Sequence, residues 1–419
     1  MFKASVISAI GALAKLIAGF VLIKLIALIL GPDGLGLMGQ FMSLSNIMIL
    51  LAGGGISTGI IKYVAEYLKE QKTLSVFIGS VSLYAIISSI ILLFIGLFFA
   101  PQIGFFLFST NEFDWLVRLL FILQFGIALN NILLSWVSGH KDIIGTNIIN
   151  VSGTFFSLLL LVPLSYFFDT KGLLAGLAIV PAAPVIISLI YVYKKYPHVF
   201  LWLKPTFNNN HFFKLSRFSL MLITTVICMP LVQMLLRNDL VEVSNWDVAG
   251  YWQAAIRLSD AYLLFINMVL ANYYMPRLSE IGKGREQIIT VWRSMLIMLP
   301  IVIVLTSSIW LLRDFLVPLL FSNKFIPAYE FIYYQLIGDI FKMTTYVIGY
   351  LVIANAMTKL SIAGDLSQAV LFYFIAQYFI SKNGAIGVAE GYAITYALYF
   401  SLILLIFSCY SLNELRKSL

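Results

Sequence analysis

Long apolar stretches separated by short polar connections run the whole length of this 419-residue chain. Twelve of them are long enough to cross a bilayer as helices, since about 20 residues at 1.5 Å rise span the hydrocarbon core. Their bounds fall near 4–30, 37–67, 73–99, 114–139, 144–168, 171–193, 213–238, 247–277, 286–312, 327–355, 358–381 and 384–411. None shows the strict apolar–polar alternation of a barrel strand. The pattern predicts an all-α polytopic membrane protein of about 12 transmembrane helices, several long enough to tilt. Composition agrees: 61% of residues are hydrophobic and 11% charged, a balance foreign to soluble domains. Residues 1–30 carry two internal lysines and no small-residue cleavage site, so they read as a first span rather than a removable signal.

Charge in the connections sets an orientation. Counted in alternate connections, 17 Lys and Arg residues share the side of the N-terminus and 5 lie opposite, Arg237 among the latter. Basic residues stay cytoplasmic, so both termini are expected in the cytoplasm. This face accounts for the net charge of +8 and removes the need for a nucleic-acid partner.

The longest polar connection, 194–212, divides the spans six and six. Asp33, Gly36 and Glu66 match Asp247, Gly250 and Glu280 at one offset of 214, and Leu107-Phe108-Ser109 recurs as Leu320-Phe321-Ser322. Lys171-Gly172-Leu173-Leu174 resembles Asn383-Gly384-Ala385-Ile386. The expected organisation is an N-terminal six-helix bundle (1–193), a cytoplasmic linker (194–212) and a C-terminal six-helix bundle (213–419). An internal repeat with an even number of spans gives parallel halves, related by a pseudo-twofold axis along the membrane normal, as in transporters that alternate access.

Five cations, Lys15, Lys24, Arg118, Arg257 and Lys342, fall inside predicted spans. A charge in hydrocarbon costs several kcal/mol, so each needs a partner or a wet cavity, and the cavity would receive something anionic. The first half offers no carboxylate deep in its spans, whereas the second offers Asp260, Asp339, Asp365 and Glu390. At 100° per residue, Arg257 shares a helix face with Asp260, and Asp339 with Lys342, so each pair reads equally as an internal salt bridge. Lys15 and Lys24 lie on opposite faces of a straight helix. Arg118 follows Asp114 by one turn, which permits a surface pair instead.

The chain resembles the Wzx polysaccharide flippases. The resemblance rests on Gly31-Pro32-Asp33-Gly34-Leu35-Gly36-Leu37, Leu51-Ala52-Gly53-Gly54-Gly55-Ile56, Lys62-Tyr63-Val64-Ala65-Glu66, Trp246-Asp247-Val248-Ala249-Gly250-Tyr251-Trp252-Gln253 and Ser259-Asp260-Ala261-Tyr262-Leu263. It continues through Leu311-Leu312-Arg313-Asp314, Leu320-Phe321-Ser322-Asn323-Lys324-Phe325, Gln335-Leu336-Ile337-Gly338-Asp339 and Gly349-Tyr350-Leu351-Val352-Ile353-Ala354. These stretches look like the branch that carries lipid III of enterobacterial common antigen, on a scaffold shared with O-antigen flippases. The resemblance implies a member of the multidrug/oligosaccharidyl-lipid/polysaccharide exporter superfamily. Such a protein moves an undecaprenyl-pyrophosphate-linked oligosaccharide from the cytoplasmic to the periplasmic leaflet of a bacterial inner membrane. It also implies a polysaccharide polymerase and a chain-length regulator as partners.

That cargo matches the cations, because a pyrophosphate diester carries about two negative charges and Arg or Lys binds them best where water is sparse. Lys15, Arg118 and Arg257 are the first candidates for the pyrophosphate, with Lys24 and Lys342 behind them. Asp260, Asp339, Asp365 and Glu390 are candidates for carrying a coupling proton or cation. Tyr251 and Trp252 read either as interfacial residues or as a sugar-stacking pair.

Other features point away from catalysis. No Gly-rich lysine loop for nucleotide phosphates occurs, no cofactor is expected, and no metal site or nucleophile–base pair is evident. Cys228 and Cys409 lie in apolar stretches and read as packing residues. His140, His198 and His211 read as solvated connection residues, and Gly53-Gly54-Gly55 as a close-packing or hinge element. Two rivals to the flippase remain at this stage: a multidrug cation exporter, whose cavity should be acidic, and a non-transporting scaffold of the glycan assembly machinery. A polymerase or glycosyltransferase would need a large extramembrane loop, and the outer connections reach only about 15 residues.

Overall fold

A computed structural model of the chain describes residues 2–355 and 357–417; the side chains of residues 2–10, 12, 14, 15, 169, 221, 223–225, 272, 358 and 413–417 lie outside the description. The described residues are nearly all helical, with no strand among them. The helices are α1 (Phe2–Ile29), α2 (Gly31–Leu51), α3 (Ser57–Tyr67), α4 (Gln71–Phe98), α5 (Ala100–Phe108), α6 (Asp114–Gly139), α7 (Ile143–Ile179), α8 (Pro184–Lys195) and α9 (Val199–Trp202). They continue with α10 (Asn209–Val243), α11 (Trp246–Val269), α12 (Met275–Ile281), α13 (Arg285–Leu311), α14 (Arg313–Leu320), α15 (Tyr329–Ala354), α16 (Thr358–Asn383) and α17 (Gly387–Lys417).

Every predicted span coincides with a helix or with two helices joined end to end. Among the described residues, 8 stretches are long and apolar enough to cross a bilayer, one of them Lys359–Leu412, which holds the last two spans. Leu16–Ile29 is a shorter apolar helix. The remaining two spans fall on α10 and α11, and the second of these carries Asp247, Arg257 and Asp260.

The fifth and sixth spans need a reversal that helical backbone conceals. In a straight helix Ser157 and Val180 would lie about 35 Å apart, yet the Ser157 hydroxyl donates to the Val180 carbonyl at 3.0 Å. A Cβ on Gly176 would sit 2.4 Å from Leu161 Cδ1, and one on Gly172 1.9 Å from the Leu164 carbonyl oxygen. Glycine is thus required where the two spans double back on each other. The repeat persists outside the membrane helices as well. The short helix α5 ends in the first Leu-Phe-Ser and α14 in the second, each directly after a third span.

Packing divides the chain into two compact units: Met1–Ile29 with Gln40–Pro230, and Leu30–Gly39 with Leu231–Leu419. The first unit is centred on Ile60, Val64, Phe77, Leu133, Trp136 and Leu215, all almost fully buried. The second is centred on Leu278, Val291, Val302, Met343 and Val347.

Within the second unit, the start of α2 crosses the start of α11 at two repeat-related glycines. A Cβ on Gly36 would lie 2.4 Å from the Trp246 carbonyl oxygen, and one on Gly250 1.9 Å from the Pro32 carbonyl oxygen. These obstacles are backbone, which no side-chain rotation removes. The second span of each half is also interrupted. Gly53, Gly54 and Gly55 have φ of 73, 88 and 66°, the left-handed region that side chains disfavour, and they separate α2 from α3. The freed Ile49 carbonyl accepts from Asn131 Nδ2 at 2.8 Å, which satisfies one of the end groups. About 214 residues later a wide π turn, Leu270–Tyr274, joins α11 to α12. The glycine run is therefore a true helix break as well as a packing site.

At one end of the first unit Asp142 joins two helices. Its side chain accepts from the Gly145 N–H at 3.0 Å as the N-cap of α7. It also accepts from Lys195 Nζ at 2.7 Å, the Tyr191 hydroxyl at 2.8 Å and the Tyr196 hydroxyl at 3.2 Å. Burial opposes its ionisation, but Lys195, the Gly145 N–H and Tyr191 outweigh burial and hold the carboxyl below its ordinary range. A depressed folded value means this stabilisation is complete above about pH 4 and is lost as pH falls through the folded value. Asp142→Ala is expected to cost about 2 kcal/mol at neutral pH. Thermal unfolding in detergent from pH 7 to 3.5 should show the gap between variant and parent closing at the acid end.

The neighbouring His140 is held below its ordinary value by burial, against the Trp136 carbonyl and with His198, so it is neutral at pH 7. His211, expected in a solvated connection, is only 8% exposed. It lies in the first turn of α10, with its ring against Tyr67 and Phe77.

Candidate functional site

The second unit holds a buried polar cluster assembled from four helices. α11 contributes Ser259 and Tyr262, three residues apart; α15 contributes Asp339 and Lys342 at the same spacing; α17 contributes Tyr392 and Tyr396, one turn apart. These spacings put each pair on one helix face. Asp339 is fully buried. Its Oδ2 accepts from the Ser259 and Tyr262 hydroxyls, and its Oδ1 accepts from the Tyr392 hydroxyl at 2.7 Å. Lys342 Nζ donates to that Tyr392 hydroxyl at 3.3 Å and lies 5.6 and 5.4 Å from the Tyr392 and Tyr396 ring centres. Gln368 of α16 donates to the Tyr396 hydroxyl. Gly338 admits the Tyr392 ring, since a Cβ there would meet ring atom Cδ1 at 2.4 Å.

The helix-face argument thus brings Asp339 and Lys342 together, but no direct ion pair joins them among the described contacts. The Tyr392 hydroxyl stands between, donating to the carboxylate and accepting from the ammonium. Three hydroxyl donors and a nearby cation satisfy a carboxylate that burial alone would make prohibitively costly. A group enclosed in this way can hold or release a proton as its surroundings change.

Arg257 and Asp260 form the expected i,i+3 pair, at 3.5 Å, with Asp260 half exposed. Asp365 is exposed on α16, outside the Asp339 cluster. Glu390 does not lie deep in a span as expected. It sits in the first turn of α17, beside the helix N-terminus, and accepts from Asn383 Nδ2 at 2.5 Å. The helix begins later than the hydropathy pattern suggests because Gly384, at φ 73°, turns the chain first.

In the first unit, Arg118 is exposed and makes no ion pair with Asp114 among the described residues. Lys24 is half-buried in α1. The Lys15 side chain lies outside the described residues.

One buried cation escaped the sequence reading. Arg237 falls within α10 rather than in an outer connection, and it is 1% exposed. Its Nη2 donates to Gln253 Oε1 at 2.8 Å, and its guanidinium lies 5.4 Å from the Trp252 ring centre. Trp252 is therefore packed against an arginine and is 1% exposed, which removes it as a sugar platform. Gly39 closes this site, since a Cβ there would lie 2.8 Å from Gln253 Oε1. Arg237 falls at the last turn of the expected span 213–238, and counting it with the outer connection hid it; the helix runs on to Val243.

This helical fold is shared with transporters of known structure. The chain resembles an inward-facing multidrug resistance MATE family transporter of the MOP superfamily with a TM-score of 0.74 at 16% identity, over 95% of each chain. It resembles the lipid II flippase MurJ, in an inward closed conformation, with a TM-score of 0.75 at 16% identity, over 99% of this chain and 91% of that one. In sequence the chain belongs to the polysaccharide biosynthesis protein family, which it matches over residues 2–282. It is 36% identical over 400 residues to proteins named lipid III flippase in Escherichia coli (strain K12) and Shigella flexneri, covering 96% of this chain and 96% of each relative.

Proposed function

We propose that this multi-pass membrane protein is a flippase that carries a polyprenyl-pyrophosphate-linked oligosaccharide across a bacterial inner membrane. The cargo would be lipid III of enterobacterial common antigen or an O-antigen repeat unit, moved from the cytoplasmic to the periplasmic leaflet by alternating access. The observation that carries this reading is the near full-length identity of 36% to lipid III flippases. Cations inside apolar helices, where an anionic headgroup must travel, support it independently. Both termini then lie in the cytoplasm, and the polymerase and chain-length regulator receive the cargo on the far side.

Within this reading Lys15 and Arg257 are the foremost contacts for pyrophosphate, Arg118 and Lys24 secondary ones. Arg257 pairs with the half-exposed Asp260, and a doubly charged diester competes well for a guanidinium so placed. Lys342 belongs with Asp339, and of the four carboxylates Asp339 is best suited to carry a coupling proton, being fully enclosed by titratable neighbours. Asp260, Asp365 and Glu390 are exposed or paired and serve less well.

Complementation of a flippase-deficient strain, scored by surface glycan, tests the headgroup contacts. Lys15→Glu and Arg257→Glu should each reduce export at least tenfold at normal expression; full export by both would sink the cationic-path idea. Coupling is tested in vesicles with an imposed pH gradient. Transport indifferent to the gradient and its sign would remove the proton role of Asp339.

A further inference from the structure

The basic end of the first unit carries a second set of cations that the transport path above does not use. On α3, Lys62 is exposed and its ammonium lies 5.2 Å from the Tyr63 ring centre and 5.8 Å from that of Phe218. From the first turns of α10, Lys214 lies 5.0 Å from the same Tyr63 ring and 5.6 Å from that of Tyr67, and it donates to the Tyr67 hydroxyl at 2.8 Å. Two like charges therefore converge on one aromatic ring. Neither forms an ion pair within 4 Å among the described residues, although the exposed Glu66, one turn beyond Lys62, lies near enough to favour the charged form of Lys214. Arg217, one turn after Lys214, adds a third cation, stacked 4.6 Å from the Phe213 ring.

Cation–π contacts alone return only about 0.5–1 kcal/mol each at an exposed site, which leaves both ammonium groups free to take an anion. A second feature marks the same place. One turn before Lys214, the His211 ring is nine-tenths buried, and its Nδ1 has no hydrogen-bond partner. The ring lies against Tyr67, the residue whose hydroxyl Lys214 holds. Two ammonium groups on one aromatic ring, with an unsatisfied ring nitrogen beside them, suit a compact polyanion.

The geometry points to a loading site, built from Lys62, Lys214 and the Tyr63–Tyr67–Phe218 wall, that takes the pyrophosphate of a polyprenyl lipid from the bilayer surface before it reaches the intramembrane cations. The inference rests on the flippase reading and adds to it a place of first capture. Lysine suits capture and release, because it binds phosphate as a point charge without the two-pronged hold of arginine. Phe218, the least buried of the three rings, supplies an apolar edge for the first isoprene units.

Binding is measured by thermophoresis with the full chain in nanodiscs of zwitterionic lipid. The probes are undecaprenyl pyrophosphate, undecaprenol, phosphatidylglycerol and inorganic pyrophosphate. The parent protein should bind undecaprenyl pyrophosphate well above the other three. Lys62→Gln with Lys214→Gln should weaken that binding at least tenfold, with unchanged thermal unfolding and a flatter salt dependence, and Lys62→Arg should restore most of it. Equal affinity in parent and double variant would overturn the loading site while leaving the flippase reading intact. Equal loss of phosphatidylglycerol binding would show a general anionic-lipid patch, and equal binding of inorganic pyrophosphate a site indifferent to the lipid; either overturns the proposal. A parent protein that binds no undecaprenyl pyrophosphate would instead sink the flippase reading itself.

Discussion

Gly250→Ala is expected to leave little folded protein in the membrane. The added methyl would sit 1.9 Å from the Pro32 carbonyl oxygen and 2.7 Å from its carbon, distances that real Cβ atoms do not show. Both obstacles are backbone at the start of α2, so relief requires moving a whole helix end, not a rotamer. Overpacking against backbone belongs to the severe tail of single substitutions, about 4 kcal/mol or more. Gly36→Ala, facing the Trp246 carbonyl from the other side, should behave alike. Gly349→Ala is the control, because nothing lies within 4 Å of its added carbon; it should be neutral within about 1 kcal/mol. Membrane yield and thermal unfolding in detergent read the difference. A Gly250→Ala protein as abundant and as stable as Gly349→Ala would show that the two helix starts do not cross so closely.

The second large effect is expected at Asp339. Asp339→Ala removes the acceptor of three hydroxyls and leaves Lys342 beside tyrosine rings without its carboxylate. Breaking a buried charge arrangement from one side costs about 3–5 kcal/mol, most of it the stranding of the other groups. Tyr392→Phe keeps the ring beside Gly338 and removes only the bridging hydroxyl, so it should cost about 1–2 kcal/mol. Because the two groups share a hydrogen bond, Asp339→Ala with Tyr392→Phe should be less harmful than the sum of the two, by at least 0.5 kcal/mol in a double-mutant cycle. Strict additivity, read by thermal unfolding, would mean that the tyrosine does not couple carboxylate to ammonium. Loss of glycan export in a variant that remains folded would separate a transport role for Asp339 from its structural one.

Much of this architecture was legible in the order of residues. Apolar length located the spans, and the repeat of Asp33 and Gly36 as Asp247 and Gly250 anticipated a related structural role in each half. Helical spacing put Arg257 with Asp260 and Asp339 with Lys342. It could not supply the partner that arrives from elsewhere: Tyr392 lies about 50 residues beyond Lys342, and nothing local marks it as the bridge. Arg237 lies at the very end of its expected span, where a cation reads as a solvated connection residue, and only its partners Gln253 and Trp252 show that the helix carries it inside. Glu390 was misplaced for the opposite reason. Hydropathy stays high through Gly384-Ala385-Ile386, and only the left-handed glycine reveals that the helix has not yet started.

The interrupted second span of each half has a consequence for which surfaces can meet lipid. Backbone without its helical hydrogen bonds is tolerated at membrane depth only beside protein or water. Gly53, Gly54 and Gly55 leave the α-helical ladder at a single 3-10 turn, and their nearest neighbours are Ala128, Tyr84 and Leu222 in turn. Rotation of that span toward the acyl chains would expose carbonyl groups outside the α-helical ladder, which favours keeping that face against protein. The π turn at Leu270–Tyr274 keeps a bond, from the Met275 N–H to the Leu270 carbonyl, and carries no such prohibition. The two copies of this span therefore differ in how far each can tolerate a lipid-facing break: the glycine run leaves the α-helical ladder and the π turn does not.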